Sequence, residues 1–273
     1  MTTSIFQNDI FKGKVAFVTG GGSGICKGMT EALMRHGADS VIVSRTLSKL
    51  EVAAKELAER TGRRCLPLAC DVRNYADLET AFRKAQEHYG RIDIVICGAA
   101  GNFLASAERL SANGFKTVME IDTIGTFNTC KAALPHLKQT KGCIISVSAT
   151  FHYVGSPLQI HAAAAKAGVD AMTRTLAAEW GAYGIRINTI TPGPIAGTTG
   201  MEKLTTKDTV DLVESVVPLK TWGQIRDIEY ATLFLAHPES ARFISGAVLV
   251  VDGGQWLVSG GGIVPESQWR GKL

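Results

Sequence analysis

The chain has 273 residues, 45% of them hydrophobic, enough to bury one sizeable core. Its net charge of +4 is a mild excess with no basic run interleaved with aromatics, which argues against nucleic acid and is compatible with an anionic small molecule. Six cysteines without a C-x-x-C pair and six histidines without an H-E-x-x-H pattern give no metal or redox motif; most of the thiols fall in apolar, strand-like runs and read as buried and reduced.

Residues 1–14, MTTSIFQNDIFKGK, lack the apolar segment of a secretory signal, and no apolar run is long enough to span a membrane. KVAFVTG (14–20) predicts a first strand that ends in glycines, followed by an amphipathic helix up to Gly37. SVIVS (40–44) predicts the second strand and LSKLEVAAKELAER a charged helix. CLPLAC (65–70), IDIVIC (92–97), CIISVS (143–148), IRINTIT (185–191) and AVLVVDGG (247–254) supply five more strands. Continuous apolar strands separated by helices imply an α/β fold: a single doubly wound, Rossmann-type domain over 1–273, its seven-stranded parallel sheet covered by helices on both faces. The core spans about 12–256. Residues 195–222, rich in Gly and Thr after a Pro-Gly turn, have the composition of a lid, and 259–273 form a glycine-rich tail.

TGGGSGI (19–25) joins the first strand to the first helix. Gly20, Gly21, Gly22, Ser23, Gly24 and Ile25 would let backbone N–H groups approach a pyrophosphate at a helix N-terminus, although a plain tight turn uses the same residues. An NAD site usually ends the second strand with an acid that bonds the ribose 2′-hydroxyl. Here Ser44 and Arg45 hold that place, and Asp39 lies at the strand's other end. Arg45 can bond a 2′-phosphate, so NADPH is the expected cofactor; the plainer reading is an exposed arginine after a strand.

TGGGSGI, the Asp71–Val72 pair, KAGVDAM and PGPIAGT (192–198) resemble the short-chain dehydrogenase/reductase family over about residues 12–256. The resemblance implies that Asp71 and Val72 meet the adenine, and that Gly98 borders the cofactor. It further implies that Pro192, Gly193, Pro194, Ile195 and Thr198 wrap the nicotinamide, while Lys166 bonds its ribose. Cys26 stands where many members have the last glycine of the loop; being within the helix, it should alter packing rather than abolish binding.

That family's usual tetrad is Asn, Ser, Tyr and Lys, in which the tyrosine exchanges a proton with a carbonyl or alcohol. In this chain the tyrosine position is Ala162, the serine falls on Ala149 beside Ser148, the asparagine is Asp122, and only Lys166 remains. Reduction of a carbon–carbon double bond conjugated to a thioester tolerates these changes. Charge then develops on the thioester oxygen and a proton is needed on carbon, which Lys166 and Asp122 with a water between them could manage. GAAGNF (98–103), IDTIGTFN (121–128), SATFHY (148–153), IHAAAAKAGVDAMTR (160–174) and VVDGGQW (250–256) resemble the 2,4-dienoyl-CoA reductases, their peroxisomal branch in particular. This implies NADPH, an acyl-CoA substrate, a homo-oligomer (tetramer or dimer) and no membrane partner. It also makes the C-terminal Gly-Lys-Leu an S-K-L-like peroxisomal address, one residue off pattern.

Candidate substrate residues are Asn102 and Phe103 for the acyl pocket, Ser148 for the thioester oxygen, and Arg73, Lys203, Ser111 and Asn113 for CoA. Each has a plainer alternative: packing for Phe103, a strand end for Ser148, a solvated cation for Lys203, and helix capping for Ser111 and Asn113. His152 or Tyr153 could stand in for the lost tyrosine. Two rivals remain open at this point: a related enoyl-CoA or ketone reductase with an unusual acid such as Tyr153, and a nucleotide-binding protein without activity.

Overall fold

Apolar runs of four to seven residues alternate with helices, and each run becomes a parallel strand. The computed structural model describes residues 6–198 and 216–258. Lys203, most of the expected lid (199–215), the tail 259–273 and the Gly-Lys-Leu terminus therefore lie outside the described residues.

In chain order the elements are β1 (Val15–Thr19), α1 (Gly24–Arg35), β2 (Asp39–Ser44), α2 (Leu47–Thr61), β3 (Cys65–Ala69) and α3 (Tyr75–Tyr89). Next come β4 (Ile94–Cys97), α4 (Ala112–Val118), α5 (Gly125–Thr140), β5 (Cys143–Val147) and α6 (Ile160–Trp180). The last are β6 (Arg186–Pro192), α7 (Ile225–Ala236), β7 (Val248–Val251) and the short α8 (Gln255–Val258). The sheet runs β3-β2-β1-β4-β5-β6-β7, every neighbour parallel. Strand order reverses between β1 and β4, so their loops depart in opposite directions and leave a crevice at the carboxyl ends.

Alternation along each strand feeds two cores. Ala16 and Val18 face α1, α2 and α7, packing with Met29, Leu33, Leu50, Leu57 and Leu233. Val15 and Phe17 face the other layer with Leu78, Phe82, Leu137 and Leu176, and the Phe17 and Phe82 rings stack at 3.9 Å. Each fully buried side chain of this size contributes roughly 1.5–3 kcal/mol, which makes the sheet a rigid platform for its loops. The cysteines are largely buried, as expected, though not all of them in strands. Cys65, Cys97 and Cys143 lie in strands, but Cys26 and Cys130 lie in helices and Cys70 follows β3; a thiol is small enough to sit where a helix meets the sheet. All six are free.

One irregularity matters for chemistry. Between α4 and α5 the helix widens into a π-helical segment, Met119–Ile124, which carries Asp122 inward to 1% exposure. Such widened turns recur at functional sites because they re-aim one side chain without ending the helix.

Candidate active site

The crevice between β1 and β4 opens into a cavity of about 480 Å³ lined by the glycine loop, Ser44, Arg45, Asp71, Val72, Gly98 and Thr198. Gly20 sits at φ +71°, and a Cβ there would lie 2.9 Å from the Gly98 carbonyl oxygen, so the turn admits only glycine. Ser23 caps α1 without a side-chain hydrogen bond, which leaves the first-turn N–H groups without a side-chain acceptor beside the cavity. A cradle that a side chain would fill, open amides at a helix start and Arg45 at the rim fit a phosphate-bearing dinucleotide. Asp39, at the opposite sheet edge, is held by Arg63 and Arg64, as its place at the start of β2 requires.

Cys26 occupies the wall of this cavity, its Sγ 3.7 Å from the Gly98 carbonyl oxygen. Burial pushes the thiol up to about 11, against the opposing pull of the Lys166 ammonium. A Cβ on Gly98 would collide with that sulfur, so the cysteine in the helix and the glycine after β4 are complementary. Thr19, which sequence reasoning passed over, fixes the same corner: its hydroxyl accepts from the Gly98 N–H at 2.9 Å and from the Ala99 N–H at 3.2 Å.

Deeper in, the Lys166 ammonium lies 3.0 Å from Asp122 Oδ2, with side chains 10% and 1% exposed. The same ammonium donates to the Val147 carbonyl at 3.0 Å, and Asp122 Oδ1 accepts from the Gly101 N–H at 2.7 Å. The expectation of a water between the two groups is corrected, because they touch directly; any water must lie beside the pair. Ala162, one turn before Lys166, is buried at 2% exposure. Ser148, just past β5, is buried with its hydroxyl unpartnered among the described residues, an available donor toward the same region.

The other sequence candidates are placed as follows. Asn102 donates to Gln159 Oε1 at 3.1 Å, and Phe103 is 41% exposed with its ring 4.4 Å from His161. Ser111 caps α4 by accepting from the Gly114 N–H at 3.0 Å, and the Asn113 carbonyl accepts from Thr117. Arg73 is turned onto Asp71, and this pairing holds the Asp71 carboxyl below its usual range. Ile195 forms an isolated bridge with Gly223, and Thr198 donates to the Ile195 carbonyl at 3.0 Å, which gives the 192–198 turn its shape. His152 and Tyr153 both bond Asp170 Oδ2, at 2.9 and 3.0 Å. Burial first, and then the Asp170 charge, push the Tyr153 phenol up to about 12, which makes it a poorer acid than a free tyrosine. Among the described residues no group of three or more metal-ligating side chains is gathered, and no helix is long and apolar enough to cross a membrane.

Comparison with known proteins bears on this geometry. Residues 20–255 match the family model described as enoyl-(acyl carrier protein) reductase. A short-chain dehydrogenase from Bacillus anthracis superposes with a TM-score of 0.83 at 40% identity, covering 93% of this chain and 100% of that one. The chain belongs to the short-chain dehydrogenase/reductase family. Within that family it is 50% identical over 260 residues to the peroxisomal 2,4-dienoyl-CoA reductase of Danio rerio, covering 94% of this chain and 86% of the relative. It is 46% identical to the peroxisomal 2,4-dienoyl-CoA reductase of Saccharomyces cerevisiae, covering 94% and 88%. As a short-chain dehydrogenase/reductase the chain is an oxidoreductase that uses a nicotinamide nucleotide.

Proposed function

We propose that the protein reduces 2,4-dienoyl-CoA to trans-3-enoyl-CoA with NADPH. The observation that carries this reading is the buried Asp122–Lys166 ion pair in a site whose tyrosine position is the buried Ala162. The relatives at 46–50% identity are named for this reaction with 3-enoyl-CoA as product, which supports the same reading.

When bound along the cavity, the nicotinamide supplies the hydride. Hydride addition at C5 of the dienoyl chain moves charge through the conjugated bonds onto the thioester oxygen. A proton placed on C2 leaves the remaining double bond between C3 and C4. Ser148, with a free buried hydroxyl, and the Lys166 ammonium are the donors available to that oxygen. Asp122 can only accept, so its part is to hold Lys166 in place and orient a water that supplies the proton. Arg45 at the end of β2 favours a nucleotide with a 2′-phosphate. Phe103 and Asn102, at the exit of β4, suit the acyl side of the pocket.

The names of the two relatives support a peroxisomal site of action. Exposed Ile124 and Phe127, on the helical run that carries Asp122, support a homo-oligomer built on that face, to be measured by light scattering on the purified protein. The reaction itself is tested by NADPH oxidation with 2,4-decadienoyl-CoA, 2-decenoyl-CoA and a simple ketone in parallel. Consumption with the dienoyl thioester alone is the expected result. Consumption with the ketone instead would favour an ordinary carbonyl reductase, and none with any acyl-CoA would leave a nucleotide-binding protein.

A further inference from the structure

A carboxylate has about four acceptor positions. In Asp71 all of them face one residue: Oδ1 accepts from the Arg73 backbone N–H at 3.1 Å and from Nε at 3.0 Å, while Oδ2 accepts from Nε at 3.1 Å and from Nη2 at 2.6 Å. The two side chains are 26% and 37% exposed, and a pair this accessible adds little to fold stability. Its position is more telling. Asp71 lines the nucleotide cavity together with Ser44 and Arg45, and the Arg45 charge acts on the Asp71 carboxyl. The turn between Asp71 and Arg73 is itself held by α5, where Asn128 Nδ2 donates to the carbonyls of Val72 at 3.1 Å and Arg73 at 3.4 Å.

A free carboxylate at this point would compete with a phosphate for Arg45 and repel any anion bound there. We infer that Arg73 is a cofactor-specificity residue: by clamping Asp71 it reserves Arg45 for the additional phosphate of NADPH. Arg73 thus acts on the nucleotide through Asp71 and is a positioning residue, not a ligand of the CoA phosphates. The inference rests on the NADPH reading above but not on the identity of the acyl substrate.

The test is a fluorescence titration of NADPH and NADH against the full-length protein and three variants, without acyl-CoA. Arg73→Met frees the Asp71 charge opposite a doubly charged phosphate, and should weaken NADPH roughly five- to tenfold while NADH changes less than about twofold. Asp71→Asn combined with Arg73→Met removes both charges, and should return the preference for NADPH over NADH to within about twofold of the unaltered protein, whatever an adenine contact of Asp71 costs both nucleotides alike. Arg73→Lys keeps the compensating charge, retains the preference to within about threefold, and serves as the readout should Arg73→Met not fold. Equal losses for the two nucleotides, or no recovery in the double variant, would overturn the inference. So would unchanged nucleotide binding with a raised KM for dienoyl-CoA alone, which would return Arg73 to the CoA site. Equal affinity of the unaltered protein for NADPH and NADH would strike down the cofactor reading, and this inference with it.

Discussion

Replacing Asp122 with asparagine keeps the size of the side chain and an acceptor for the Gly101 N–H, but removes the charge that faces Lys166. The pair is buried, with Nζ 3.0 Å from Oδ2, and the lysine's other acceptor is the Val147 carbonyl. An orphaned charge at such a site costs about 3–5 kcal/mol. In a chain of this length each kcal/mol lowers Tm by roughly 2–4 °C, so Asp122→Asn should melt roughly 6–20 °C lower. Loss of the group that orients the proton source should lower kcat roughly 100- to 1000-fold. The two effects separate in the double variant Asp122→Asn with Lys166→Met. With no charge left to orphan, most of the lost Tm returns while turnover stays down. The assays are thermal melts and single-turnover NADPH oxidation with a 2,4-dienoyl-CoA. Full turnover in Asp122→Asn would refute the proton-handling role. A double variant that melts as low as the single one would refute the charge argument.

Arg45→Ala should weaken NADPH roughly 10- to 100-fold by removing a charge-assisted bond, with NADH nearly unmoved in the same titration; equal losses would remove the 2′-phosphate contact. Gly98→Ala should abolish nucleotide binding, because its methyl meets Cys26 Sγ, and adding Cys26→Gly should restore much of it; no recovery would show that the 3.1 Å approach to the Thr19 carbonyl oxygen is what forbids a side chain. With its phenol pushed up to about 12, Tyr153 stays protonated up to about pH 10, so Tyr153→Phe should leave the pH–rate profile from 6 to 10 unchanged in shape; loss of an alkaline limb would restore the phenol as proton donor.

The sheet was legible in the sequence because buried parallel strands must be apolar throughout, and helices bounded by glycines punctuate them. Each predicted strand overlaps an observed one, and the ends differ by a few residues, most of them where pairing stops short of the apolar run, while β2 begins and β6 ends one residue beyond it. Asp122 was legible as a substitution and Lys166 as the retained member of the tetrad, but their direct contact was not. The π-helical segment that turns Asp122 inward leaves no mark in composition or period. The Arg73 clamp on Asp71 was equally hidden, since two residues in a turn meet or part according to backbone angles that the sequence does not display. His152 and Tyr153 were read as possible stand-ins for the lost tyrosine, with no partner assigned to either. Asp170, one turn beyond Lys166 in an otherwise small and apolar stretch, was the signal that a buried partner awaited them. Cys26 was noticed as a departure, yet its complement at Gly98 could be recognised only once α1 and β4 stood side by side.

The most direct measurement follows where the two hydrogens go. Single-turnover reduction of 2,4-decadienoyl-CoA with 4-deuterated NADPH in ordinary water, and with unlabelled NADPH in heavy water, reads out both positions by NMR of the product. The account predicts cofactor deuterium at C5, solvent deuterium at C2 and a double bond between C3 and C4. A 2-enoyl product with solvent deuterium at C4, or cofactor deuterium at C3, would contradict it.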